Sequence, residues 1–184
     1  MIVSIQRRRT ISRVAGVPTT PLIRRRMGLM LRAAQLPNAE VSILLTDDDE
    51  IRILNREYRS IDRPTDVLSF SLLEGEGARF AGHALGDLVV SIATAARQAR
   101  EAKRPLIDEL TMLLAHGLLH LLGWDHRTAT EDRRMRAETD ALCVAAGAPP
   151  LFAMGGIDGR GRSRPTREAT KKASPARKSK ATKR

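Results

Sequence analysis

An α+β fold, a single small domain in which helices pack on a mixed sheet of roughly four strands, is predicted by three properties of this chain. Apolar runs of strand length alternate with segments of helical periodicity, 42% of the residues are apolar, and 184 residues suit one domain with an extension. Aromatic residues contribute only 3%, so Leu, Val, Ile, Ala and Met must fill the core. The domain is placed at residues 1–154 and a disordered basic tail at residues 155–184.

Each element has a local cause. Residues 1–6 read as a short strand through Ile2, Val3 and Ile5, ended by Arg7, Arg8 and Arg9. Pro21 suits the first turn of a helix, where its missing N–H is not needed, and Leu22, Met27, Met30 and Leu31 continue the spacing until Pro37 and Asn38 stop it near Leu36. Residues 40–45 read as a strand, after which Asp47 or Asp48 offers a carboxylate to the first amides of a helix carrying Ile51, Leu54 and Tyr58. Residues 67–72 and 88–92 are two further strands, separated by a glycine-rich loop, and helices follow near 92–103, 106–122 and 130–146. After the opening strand the order is αβαββααα, with no internal repeat.

Composition narrows the function classes. Cys143 is the single cysteine and sits in a helical-looking stretch, which predicts a reduced, buried thiol and no intrachain disulfide. No apolar run approaches bilayer length, and Ile2, Val3 and Ile5 are too few for a signal peptide, so a cytoplasmic protein without a membrane partner is expected. The formal charge of +11 is uneven: residues 160–184 hold eleven Lys and Arg against the single acid Glu168, so that stretch carries +10 and the remainder +1. Such a tail can attract phosphates through counterion release. A solvated extension and an RNA-binding arm both remain open.

The strongest chemical signal lies at residues 116–126, His-Gly-Leu-Leu-His-Leu-Leu-Gly-Trp-Asp-His. On a helix, His116 and His120 are about one turn apart on the same face. Gly123 can adopt the left-handed conformation that ends a helix, which lets the chain reverse and return His126 to the same point. Three nitrogen ligands with a fourth direction open match a catalytic zinc site, whereas structural zinc is usually closed by four ligands. The spacing equals the metzincin protease pattern, but Gly117 replaces the glutamate that serves there as general base. Hydrolysis of something other than an ordinary peptide is implied. His83 has no partner at ligand spacing and is expected to play no part in metal binding.

Two polar segments supply further candidates. Residues 58–66 form a turn-rich connection in which an arginine can meet a phosphate with paired donors, although composition alone favours a surface arginine paired with Asp62 or Asp66. Asp87, in Leu85-Gly86-Asp87-Leu88, either approaches the metal or belongs to a turn leading into a strand, and the turn is the reading adopted.

Four ordered blocks carry a resemblance: residues 54–59 (LNREYR), 64–70 (PTDVLSF), 85–91 (LGDLVVS) and 116–126. Together they resemble the YbeY endoribonucleases over roughly residues 1–150. The resemblance implies a single α+β domain that binds zinc through His116, His120 and His126, with Arg59 at the family's functionally important arginine. It further implies cleavage of single-stranded RNA, maturation of the small-subunit ribosomal RNA 3′ end, ribosome quality control, and ribosomal RNA with the small subunit or its proteins as partners; DNA is not expected. Trp124 stands where the family usually has tyrosine, and the basic tail extends past the usual end of the domain.

The mechanism that follows is metal-assisted phosphodiester hydrolysis, with Arg59 stabilising charge on phosphorus. Asp66 and Asp87 are candidate bases that spacing does not place. Two alternatives stay open: a zinc-dependent peptidase, favoured by the histidine spacing and weakened by Gly117, and a non-catalytic ribosome-associated RNA-binding factor with a structural metal.

Overall fold

The computed structural model describes residues 1–75 and 78–152, so the expected tail at 155–184 lies outside the described residues. The element order is β1 (Ile2–Arg7), α1 (Thr20–Ala33), β2 (Glu40–Thr46), α2 (Asp48–Arg59), β3 (Val67–Ser71), β4 (Ala84–Ser91), α3 (Ile92–Glu101), α4 (Leu106–Leu121) and α5 (Ala129–Ala145), with short 3-10 turns at Arg9–Arg13 and Ala78–Phe80. The four strands form one sheet ordered β1-β2-β4-β3. β1, β2 and β4 run parallel, and β3 pairs antiparallel with β4 at the edge. This is the mixed four-stranded sheet expected of the α+β class.

Alternation along the strands gives the sheet two faces. One is mainly apolar: Val3, Val41, Ile43, Leu45, Leu88 and Val90 join Met27, Leu31, Leu113 and Leu118 in the main core beneath α1, α4 and α5. The other is covered in part by α2, whose Ile51 meets Leu68 and Val89 in a second, smaller cluster. α2 starts as its sequence requires, with the Asp47 carboxylate accepting from the Glu50 amide at 2.9 Å. Asp48, the other candidate for that cap, instead accepts from the hydroxyls of Ser91 and Thr94 and ties α2 to the start of α3.

One boundary differs from expectation. β4 begins at Ala84, not Leu88, so Leu85, Gly86 and Asp87 belong to the strand and not to a turn. The pairing with β2 shifts register between Glu40 and Val41, and Gly86 takes φ +138° at that irregularity. A side chain there would collide with the Phe70 carbonyl oxygen on β3. Glycine therefore marks a close strand approach, a role that resembles a turn when read from sequence.

Candidate metal centre

α4 ends in the manner its glycine predicts. Gly123 has φ +82°, its amide donates to the His120 carbonyl at 3.0 Å, and the Trp124 amide donates to the Leu119 carbonyl at 3.0 Å. These two bonds satisfy carbonyls left open by the last turn and reverse the chain. Ser71 on β3 donates its hydroxyl to the Leu121 carbonyl at 2.9 Å, which fixes the end of α4 to the sheet edge. Beyond the turn, the Asp125 carboxylate accepts from the His126 amide at 2.8 Å, and Thr128 with Glu131 closes a capping box that starts α5.

The result is convergence of the three predicted ligands. One ring nitrogen from each of His116, His120 and His126 lies within 4.8 Å of the others, and the Nε2 atoms of His116 and His120 are 3.2 Å apart. Ligands of a tetrahedral ion at Zn–N distances of about 2.0–2.1 Å stand about 3.3 Å from each other. The His116 and His120 nitrogens already meet that spacing, and His126, the exposed member, needs only a small approach. His120 Nδ1 is 3.0 Å from the Trp124 carbonyl oxygen, which can only accept, so the proton resides on Nδ1 and the Nε2 lone pair faces the ligand cluster. Burial lowers the His120 pKa from its ordinary range, and the neighbouring charges of His126 and Arg59 lower it further. The residues present thus fit one divalent cation.

Gly117 faces the sheet. A Cβ there would press on Leu88 Cδ2 at 2.8 Å and on Ser69 Oγ at 3.2 Å. The position that holds the general base in metzincins is in this fold a packing contact, where a side chain would have to displace Leu88.

Arg59 is the last residue of α2, exposed, and near enough to contribute to the electrostatics of His120. The carboxylates that composition offered it are taken. Asp62 receives a two-pronged contact from Arg52 at 2.8 and 3.0 Å, while Asp66 is buried, accepting from the Val67 amide at 2.9 Å and from Gln98 Nε2 at 3.0 Å. Among the described residues no salt bridge engages Arg59. Its loop is held from below: buried Asn55 donates to the Arg63 carbonyl at 2.7 Å, and Ser60 takes φ 58° as the helix ends. Asp87 is exposed on the opposite face from Gly117, in register with Ser42 and Phe70. Cys143 is buried and its thiol is pushed up to about 12 by burial and by Asp140, as expected of an inert core residue. Sequence reasoning missed Trp124 as the partner of His120, since a backbone carbonyl has no residue signature.

Comparison with known proteins places this geometry. Residues 12–147 match the family model described as Endoribonuclease YbeY. A Syntrophotalea carbinolica protein of that name is 48% identical over 115 residues, covering 61% of this chain and 77% of the relative. One from Anaeromyxobacter sp. is 49% identical over 125 residues, covering 68% of this chain and 64% of the relative. The solution structure of TM1509 from Thermotoga maritima superposes with a TM-score of 0.53 at 25% identity, over 79% of this chain and 89% of that one. No helix among the described residues is long and apolar enough to cross a membrane. With its matched span, its mixed sheet and its histidine cluster at the end of α4, the chain belongs to the YbeY family of endoribonucleases.

Proposed function

We propose that this chain is a zinc-dependent endoribonuclease that cleaves single-stranded RNA in ribosomal RNA processing, with His116, His120 and His126 holding one divalent ion and Arg59 as its catalytic arginine. The supporting observation is the convergence of three imidazole nitrogens within 4.8 Å beside a guanidinium that no carboxylate among the described residues neutralises. Three imidazoles suit zinc, and His126 is the exposed member of the set.

A divalent ion bound there supplies Lewis acidity toward a phosphate oxygen and lowers the pKa of water. The protein's own residues do the rest. Burial disfavours protonation of His120, whose Nε2 faces the cluster because Nδ1 is engaged by the Trp124 carbonyl. Arg59 brings a planar set of donors to the phosphate and stabilises the charge that grows on it as the bond breaks. Asp66 is committed to Gln98 and the Val67 amide, and Asp87 belongs to the far face, so neither is assigned as the base. The peptidase reading loses its support at Gly117, whose position is filled by Leu88 and Ser69. A closed structural metal site would need a fourth protein ligand, and the cluster among the described residues has three.

On this reading the substrate is ribosomal RNA, the process is 3′-end maturation of the small-subunit RNA together with ribosome quality control, the partners are the small subunit or its proteins, and the location is the cytoplasm. The test is single-turnover cleavage of a single-stranded RNA, with metal content measured on the same samples. His116→Ala should lose both metal and cleavage. Arg59→Ala should keep metal and melting temperature but slow cleavage by about 10²- to 10³-fold, with lysine restoring part of the rate. Normal cleavage by Arg59→Ala, or full metal occupancy in His116→Ala, would overturn the assignment; hydrolysis of a peptide in preference to RNA would favour the peptidase.

A further inference from the structure

Besides the Ser71 bond to the Leu121 carbonyl, the metal turn meets α5 through Trp124. Trp124, the only tryptophan in the chain, lies half-buried against the main core, and the Arg134 guanidinium of α5 stands 4.8 Å from its ring centroid. The indole thus meets both the core and a cation. Its own backbone carbonyl is the group that receives His120 Nδ1 at 3.0 Å. The remaining restraints near this carbonyl are local: the Gly123 reversal, the Asp125 contact to the His126 amide and the capping box of Thr128 with Glu131. None of them contacts the indole, which joins the turn that carries the Trp124 carbonyl to α5.

We infer that Arg134 and Trp124 form a positioning clamp for the metal site, in which the cation stacked on the indole holds the Trp124 carbonyl in line with His120 Nδ1 and so keeps the His120 lone pair directed at the ion. This inference rests on the metal assignment and adds two residues outside the three-histidine cluster. A cation over an exposed aromatic face has a modest effect, equivalent to about a three- to fivefold change in an equilibrium or rate. Losing the ring itself should have a larger one, because partners that orient a ligating histidine typically change metal affinity by about 10- to 100-fold.

The experiment measures release of zinc from the full-length protein to a chromogenic chelator, beside the intrinsic fluorescence of Trp124 and the thermal melting of the metal-free form. Arg134→Ala should release zinc about three to five times faster and shift the fluorescence, with metal-free melting unchanged. Arg134→Lys should fall between it and wild type. Trp124→Leu should release zinc at least about tenfold faster, and Trp124→Tyr, which keeps an aromatic face for Arg134, should recover most of the loss. Wild-type release rates in Arg134→Ala and in Trp124→Leu would overturn the clamp while leaving the three-histidine site intact. Failure of wild type itself to hold zinc would instead overturn the metal assignment. Equal loss of melting temperature and metal in Arg134→Ala would make Arg134 a stability residue and likewise reject the inference.

Discussion

The two faces of the sheet are finished differently. Beneath α1, α4 and α5 the strands present a mainly apolar surface, interrupted at the β3 edge by Ser69 and Ser71, whereas on the α2 side Ser4, Ser42 and Asp87 stand exposed beside a small cluster at Ile51, Leu68 and Val89. A cleft of about 500 Å³ remains over that uncovered part. The candidate chemistry occupies neither face. It gathers where α2 and α4 end, with Arg59 at the end of α2, His116 and His120 in the last part of α4 tied to the β3 edge, and His126 in the turn that follows. Rigidity and access are thereby assigned to different parts of one small domain.

The most severe test of that division is Gly86, where β4 passes β3 with φ +138° and no space for a side chain. Gly86→Ala should cost about 4 kcal/mol or more, since it combines a backbone conflict with the conformational penalty, and metal binding should be lost with the fold. Circular dichroism with thermal melting decides it. A folded variant that keeps its metal would mean the β3 edge is not what holds α4.

Substitution of matched leucines then compares the faces directly. Leu113, 1% exposed in the main core, should cost about 3 kcal/mol on replacement by alanine, within the usual range for buried leucine, whereas half-buried Leu54 on the α2 side should cost about 1 kcal/mol. Urea denaturation of both variants measures the difference. Equal costs would show that α2 is as firmly seated as α4 and would dissolve the distinction.

What could be read in advance follows the same line. The histidine centre was legible because its parts are local: a four-residue helical step, a glycine in the left-handed region and a short return all lie within residues 116–126. Element order was legible for a similar reason, since Pro21, Asp47 and the apolar periods act over a few residues. Gly86 misled because one residue type serves both turns and close strand passages, and only the neighbour across the sheet tells them apart. The 3-10 turn at Arg9–Arg13 carries one buried residue, Ile11, too little for a periodic signal. Arg59 stands as the clearest non-local case, because its freedom from Asp62 and Asp66 depends on Arg52 and Gln98 claiming them first.

Acid should separate the metal end from the rest of the domain. The His120 pKa is lowered from 6.5 by burial, then by His126 and Arg59, so the folded state resists protonation there. Its contribution to stability is therefore complete above pH 6.5 and begins to be lost as pH falls below that value. At the start of α2, Asp47 is lowered by its bond from the Glu50 amide and Glu50 by its bond from Arg8, so their contributions hold above the ordinary carboxylate values of 3.8 and 4.5 and fade only below them. Metal-free protein should lose stability in two stages, shallow below pH 6.5 and steeper below about pH 4, and added zinc should move the first stage to lower pH. Urea midpoints across pH, with zinc and with chelator, measure both. A flat metal-free profile between pH 6.5 and 5 would remove His120 as its source.

The smallest effect makes the finest comparison. Asp87 was a candidate neighbour of the metal when read from sequence, and the structure puts it on the open face, paired in register with Ser42 and Phe70 while Gly117 of the metal helix packs against Ser69 and Leu88 from the other side. Removing its charge should not be felt through the sheet, because an exposed carboxylate is screened by water and its side chain lies on the face opposite Ser69 and Leu88, which meet α4. Asp87→Asn should therefore leave zinc occupancy at the wild-type level and change stability by less than about 0.5 kcal/mol. Metal analysis and urea denaturation on one preparation suffice. Loss of zinc from this variant would mean that the open face and the metal end act as one unit, and the division of labour between the two faces would have to be abandoned.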